Sequence, residues 1–313
     1  MKRLLLIMPR FMGYDQALYK DLEQRYEVTF IDSDNNMKKI RDDYYSNKAN
    51  RLARKIVRPL KLFEQEVILQ KYEDPLCNLI DNKAFDVIFA INGHGLTNST
   101  YRKLVVNNKE SRRILYLWDD TSNLYKVSHF KFFSERWSYN IDDCKRYNMK
   151  YLPMFVRDEY KFAEQKKKYE LAIIATAHSD RVEFAQKLYS VYKDSVSFFI
   201  YFFDPEGKYS FFSHSKPLDY IDYLRILYSS KAVIDIPNII QNGPTTRVFD
   251  AMYTKTKIIS TNQGLRKYPI YSDNICFIDR NNPELDIEFL KSPFVENNCR
   301  YYPISDWLRE LKI

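Results

Sequence analysis

Residues 241–250 read Gln241-Asn242-Gly243-Pro244-Thr245-Thr246-Arg247-Val248-Phe249-Asp250. These types at this spacing suit a diphosphate. A proline followed by hydroxyl residues marks a helix start near Thr245. The first turn of a helix offers unpaired N–H groups at its positive dipole end. Arg247 in that turn adds a permanent cation with a forked set of donors. Asp250 lies three residues later on the same helix face, where a carboxylate suits ribose hydroxyls. Gln241, Asn242, Gly243, Thr245 and Thr246 complete the loop that would meet the ligand. The same spacing also fits an ordinary capped helix carrying a surface Arg247–Asp250 pair.

Three further groups have types that do chemistry. His178-Ser179-Asp180-Arg181 opens a helix after an apolar run and repeats the anion logic, with Arg181 in the first turn; a plain capped helix fits equally. His94 sits between two glycines in Asn92-Gly93-His94-Gly95. An accessible histidine titrates near neutrality and suits a general base. Asp119 and Asp120 end an apolar run, and adjacent carboxylates repel, which raises one toward neutral pH. Asp119 and His94 are thus the candidate catalytic bases, against a loop histidine and a capping aspartate. Asp32-Ser33-Asp34 is a D-x-D pattern, but it follows only the second strand, too early for a metal-binding transferase motif. Pro9–Gly13 is not G-x-G-x-x-G, which argues against a dehydrogenase. His94, His129, His178 and His214 show no metal-ligand spacing, so no metal and no cofactor beyond the substrate are expected.

The elements that would position these residues alternate along the chain. Strands are expected at Leu4–Met8, Glu27–Ile31, Asp86–Ile91 and Ile114–Trp118, then at Leu171–Thr176, Ser197–Phe202, Ala232–Ile236, Lys257–Ser260 and Ile275–Ile278. Helices are expected at Asp15–Gln24, Asn50–Ile80, Thr97–Val106, Arg181–Tyr192, Leu218–Tyr228 and Thr245–Tyr253. Such alternation implies two α/β units with mostly parallel sheets. The charged stretch Arg157–Tyr169 reads as a linker, giving units over 1–156 and 170–303 and a final helix over 304–313. Of six glycines, Gly13, Gly93, Gly95 and Gly264 directly follow strands, and Gly243 follows one after a short turn. Ligands of open α/β sheets bind outside the carboxyl ends of strands, and glycine there admits close backbone approach.

Residues 232–262 also carry a resemblance. Ser230-Lys231-Ala232, Asp235, Gln241, Gly243, Thr245, Arg247, Phe249 and Ala251 resemble the signature of the bacterial CgeB-like glycosyltransferases, with Asp250 where the family usually has Glu. Ile114–Asn123, ILYLWDDTSN, looks like the family's Tyr-Leu-Trp-Asp strand end. Trp137–Pro153 looks like its Phe-Asp-x-x-Asp-Cys-x-x-Tyr segment, with Asn140 where Asp is usual. The resemblance covers roughly residues 86–262. It implies a GT-B architecture, two Rossmann-like domains facing a cleft, and transfer of a sugar from a nucleotide-sugar donor, UDP-linked, to a glycan or lipid-linked acceptor in surface polysaccharide synthesis. The alternatives are a nucleotide-sugar epimerase of the same fold and a non-catalytic nucleotide-sugar-binding protein.

Composition adds bounds. A length of 313 residues suggests about two domains. The formal charge of +8 is small for this length, and no nucleic-acid motif accompanies it, so a nucleic-acid partner is not expected. Cys77, Cys144, Cys276 and Cys299 are isolated, as reduced cytoplasmic thiols are. The start, MKRLLLIMPRF, reads as a first strand rather than a signal peptide. Lys48–Phe63 is basic and amphipathic, with Leu52, Ile56, Leu60 and Phe63 on one face. It suits the anionic inner face of a membrane, or a helix packed on the first domain.

Overall fold

The computed structural model describes residues 1–33, 46, 77–124, 127–160, 162, 166–178, 180–239, 241–296 and 301–313. The basic segment 48–63, most of the expected helix over 50–80, Asp34, Ser179 and Cys299 lie outside them; residues 77–80 are helical. The chain forms two compact units, residues 1–152 with Ile313, and residues 153–312.

The first unit contains β1 (Lys2–Met8), α1 (Tyr14–Leu22), β2 (Tyr26–Asp32), β3 (Val87–Ile91), α2 (Asn98–Asn107), β4 (Arg112–Leu117), β5 (Glu135–Ser138), α3 (Ile141–Tyr147) and β6 (Lys150–Tyr151). Its six strands lie in the order β2-β1-β3-β4-β5-β6, and every pairing is parallel. The apolar run Leu4–Met8 has no exposed residue, as expected of a parallel strand covered on both faces. Helix α1 buries Tyr14, Leu18 and Leu22, a four-residue spacing that turns one stripe to the core. Strand β5, Glu-Arg-Trp-Ser, has no apolar run to announce it. It forms because β4 offers an edge: Ile114 pairs with Glu135 in register, and Arg112 makes two 2.9 Å hydrogen bonds to the Glu135 carboxylate.

The second unit contains β7 (Phe155–Val156), β8 (Tyr169–Thr176), α4 (Arg181–Tyr192), β9 (Phe198–Phe203), β10 (Ser213–His214), α5 (Tyr220–Tyr228), β11 (Ser230–Asp235), α6 (Thr246–Tyr253), β12 (Lys257–Ser260), β13 (Ile275–Phe277), α7 (Ile287–Lys291), β14 (Tyr302–Pro303) and α8 (Ile304–Glu310). Its main sheet runs β10-β9-β8-β11-β12-β13, again wholly parallel. Counted within the unit this is the 3-2-1-4-5-6 order of a Rossmann domain.

The boundary differs from the one read off the charge pattern. Phe155–Val156 belongs to the second unit because it pairs with Tyr302–Pro303. Trp307 of α8 is fully buried, donates its indole N–H to the Pro153 carbonyl at 3.0 Å and packs on Phe155. The supposed linker also begins as packed structure. Arg157 is 8% exposed, donates to Glu159 and lies 4.4 Å over the Tyr220 ring. Charge at a position does not make it solvent-facing when a carboxylate and an aromatic face receive it.

Candidate functional site

Each sheet reverses its strand order once, and a ligand crevice is expected there at the carboxyl ends of the strands. In the second unit the reversal falls between β8 and β11. Their ladder runs through Val233 opposite Ala172 and is not continued to Asp235, so the two strands part at their ends. The Arg247 guanidinium bridges the gap. Its Nη1 donates to Asp235 Oδ1 at 3.2 Å and its Nη2 to the Ile174 carbonyl at 2.6 Å. Its Nε is buried without a partner. Two of five guanidinium protons are therefore spent on orientation, which leaves donors for a ligand.

Around Arg247 the charge is mostly positive. Arg181, the first residue of α4, donates to His178 Nε2 at 2.7 Å. Its Nε also lacks a partner. Burial, followed by the nearby charges of Arg247 and Arg280, lowers its pKa to about 10, which still leaves it cationic at neutral pH. Burial first, and then Arg181, lowers the pKa of His178. That agrees with a neutral ring accepting from a guanidinium. Arg280 follows β13 and grips Asp180 with two bonds of 2.6 and 2.7 Å, while reaching the Pro237 carbonyl at 2.9 Å. No local motif singles out Arg280, although the strand-end rule that selects the glycines applies to it equally.

The loop before α6 is held from the next strand. Asn262 donates to the carbonyls of Asn242 at 3.2 Å and Gly243 at 3.3 Å, and accepts from the Gly264 amide at 2.9 Å. Gly243 is buried, Gln241, Thr245 and Thr246 are half-buried, and Asn242 is exposed. Thr245 occupies the N-cap position without capping α6; its hydroxyl donates to Asp235 at 2.7 Å instead.

Asp250 stands apart from this group. It is 1% exposed and accepts from the Tyr220 hydroxyl at 2.8 Å. Burial pushes its carboxyl up to about 7, against the hydroxyls of Tyr220 and Tyr223 and the charges of Arg247 and Arg157. It lies in the packing beneath α6, away from solvent. The ion pair that Arg247 makes is with Asp235, twelve residues upstream, because the strand end offers a buried carboxylate within reach.

In the first unit the reversal falls between β1 and β3, and Asn92 organises it. This residue is fully buried in a left-handed conformation, φ 57°. Its side chain donates to Asp119 Oδ2 at 2.7 Å and accepts from the amides of Trp118 at 3.1 Å and Asp119 at 3.3 Å. Its carbonyl accepts from His129 Nε2 at 2.7 Å. The glycines beside it are sterically required. A Cβ on Gly93 would lie 2.8 Å from the His129 ring, and one on Gly95 would lie 2.4 Å from the Ser33 carbonyl oxygen. Asn92 thus joins the two candidate bases, with His94 two residues along and Asp119 on its amide. Both are half-buried.

Asp119 and Asp120 go different ways. Asp120 is 3% exposed and accepts from Tyr139 and from Asn140 Nδ2, the latter at 2.7 Å. Asn140 also caps α3, accepting from Asp142 and Asp143 amides. An amide serves there where a carboxylate would oppose Asp120, which accounts for Asn at this position. Phe11, Tyr14 and Trp118 cluster at the same edge with ring centroids 6.1 to 6.4 Å apart. Asp32 of the D-x-D pattern pairs with Arg10 at 3.3 Å, and Ser33 is fully buried.

Comparisons with solved structures agree with this architecture. MurG of Acinetobacter baumannii aligns over 100% of this chain and 98% of its own, with a TM-score of 0.57 at 8% identity. The apo structure of OtsA aligns over 90% and 89%, TM-score 0.54 at 9% identity. The kitacinnamycin glycotransferase aligns over 99% and 95%, TM-score 0.52 at 11% identity. The chain has the GT-B fold that these share. No protein-family model and no curated protein sequence matches it.

Proposed function

We propose that this protein is a glycosyltransferase of CgeB-like type. It would take a nucleotide sugar, UDP-linked, at the β8/β11 crevice and a glycan or lipid-linked acceptor at the first unit. The observation that carries the reading is Arg247. It is anchored by Asp235 and Ile174 in the gap where the strands part, it keeps an unpartnered Nε, and Arg181 stands beside it with Arg280 next to Arg181 in turn. Three guanidiniums against the carboxylates of Asp180 and Asp235 leave net positive charge where a diphosphate would leave. Such fixed donors stabilise developing negative charge without reorganising.

In this reading Asp119 is the general base that removes the acceptor hydroxyl proton, with the Asn92 amide orienting its carboxylate. His94 is the second candidate. Leaving-group charge is met by arginine and helix N–H groups, without a divalent cation. The test pairs binding with chemistry. Calorimetric titration with UDP should show saturable binding. Incubation with a panel of UDP-sugars and glycan acceptors should yield a glycosylated product and free UDP. Release of an epimerised nucleotide sugar instead would identify the epimerase reading, and binding with no product from any donor would favour a sensor.

A further inference from the structure

Among the described residues, the carboxylate of Asp235 is the acidic group at the second unit's crevice that solvent does not reach at all. It closes β11 and accepts three side-chain hydrogen bonds: from Thr245 Oγ1 at 2.7 Å, from Arg247 Nη1 at 3.2 Å and from Ser260 Oγ at 2.8 Å. These donors come from three places, the N-cap of α6, its first turn and the end of β12. A buried carboxylate with three donors is a fixed point, because each lone-pair direction in use constrains a partner.

Two consequences bear on the ligand. The first concerns Arg247. A guanidinium on a flexible stem loses rotamer freedom when it binds an anion, and that loss opposes binding. Asp235 and the Ile174 carbonyl have already imposed the order. The second concerns Thr245. A threonine at an N-cap ordinarily accepts from an amide of the first turn. Here the hydroxyl is drawn to Asp235 and makes no cap bond. One carboxylate thus aims the arginine and turns the capping hydroxyl away from the helix amides.

We propose that Asp235 is a positioning residue for nucleotide binding: it orients Arg247 and, through the Thr245 hydroxyl, ties the start of α6 to the end of β11, so that the first turn of α6 meets the diphosphate preorganised. The proposal rests on the reading of Arg247 as a diphosphate ligand. A rival view gives Asp235 the opposite sign: a negative charge near a diphosphate repels it, and its removal should tighten binding.

The experiment is calorimetric titration of UDP into the wild type, Asp235→Asn, Thr245→Val, Arg247→Ala and the double variant Asp235→Asn/Arg247→Ala, with thermal melts of each. Asparagine keeps the shape and can still bond Thr245 and Ser260, but it loses its charge on Arg247. Asp235→Asn should weaken UDP binding about tenfold, the scale of one charge-assisted hydrogen bond. In the Arg247→Ala background the same change should do nothing further, because the residue it acts through is gone. Thr245→Val leaves the charges in place and the helix uncapped as before, but it cuts the bond that ties the start of α6 to Asp235, and it should weaken binding about threefold, a fraction of one neutral hydrogen bond. It carries the test alone should Asp235→Asn fail to fold. Unchanged or tighter binding in a folded Asp235→Asn or Thr245→Val protein overturns the proposal. So does a full, additive loss in the double variant, which would mark a general effect on the fold. If Arg247→Ala itself binds UDP as tightly as the wild type, the underlying nucleotide reading fails instead.

Discussion

The two reversal points share a topology and differ in chemistry. Between β8 and β11, arginines dominate, and the buried Asp235 serves to hold one of them. Between β1 and β3, the polar groups include the Asp119 carboxylate held by the Asn92 amide, the His94 imidazole two residues along and an Arg10–Asp32 pair, edged by aromatic rings. A doubly wound sheet fixes where a ligand crevice opens, through the parting of neighbouring strands, and is indifferent to what fills it. Under the proposed function, the first of these crevices takes the anionic donor and the second a neutral, hydroxyl-bearing acceptor.

The largest expected effect breaks the comparison on the first-unit side. Asp119→Asn should lower turnover by about 10²–10⁴-fold, the usual worth of a general base, and leave UDP affinity unchanged. Steady-state kinetics beside calorimetry measure both. Near-normal turnover would move the base to His94.

Next comes the second-unit side. Arg247→Ala should weaken UDP binding by roughly ten- to a hundredfold, with lysine restoring only part because it lacks the forked donor geometry. The variant also leaves the Asp235 carboxylate without its cation, so its melting temperature should fall. Unchanged affinity with a lowered melting temperature would make Arg247 purely structural.

A smaller effect tests whether Asp250 belongs to the crevice or to the packing. Its folded pKa, about 7, lies above the ordinary 3.8. Between these values the folded state holds a proton that the unfolded state has lost, so stability falls as pH rises through that window. An asparagine at this position mimics the protonated acid and cannot titrate. Asp250→Asn should therefore gain stability relative to the wild type, by a few degrees of melting temperature, as pH rises from about 5 to about 8. UDP affinity should hold. A large loss of affinity would return Asp250 to the ligand.

The smallest expected effect is none: a chelator should leave UDP binding and transfer unaltered. Loss of activity restored by manganese would show that the arginine cluster is not sufficient for the leaving diphosphate.

Much of the scaffold is legible from residue order alone. Continuous apolar runs such as Leu4–Met8 read as strands buried on both faces, and α1, α4 and α6 declare themselves by apolar spacing and start signals. Parallel α/β architecture follows from their alternation. These are local properties, carried by neighbours within a few residues. What only the tertiary structure decided involves partners far apart in sequence. Arg247 pairs with Asp235, twelve residues upstream, although spacing alone makes the nearer Asp250 an equal candidate, because the helix turns Asp250 into the core beside Tyr220. Strand β5 exists because β4 presents an edge to Glu135. Arg280 enters the crevice through a bond to Asp180, a hundred positions away. Asn92 ties Asp119 to the glycine loop across 27 positions. Burial, and the direction in which a side chain leaves its element, settle such pairings, and both are set by packing rather than by spacing along the chain.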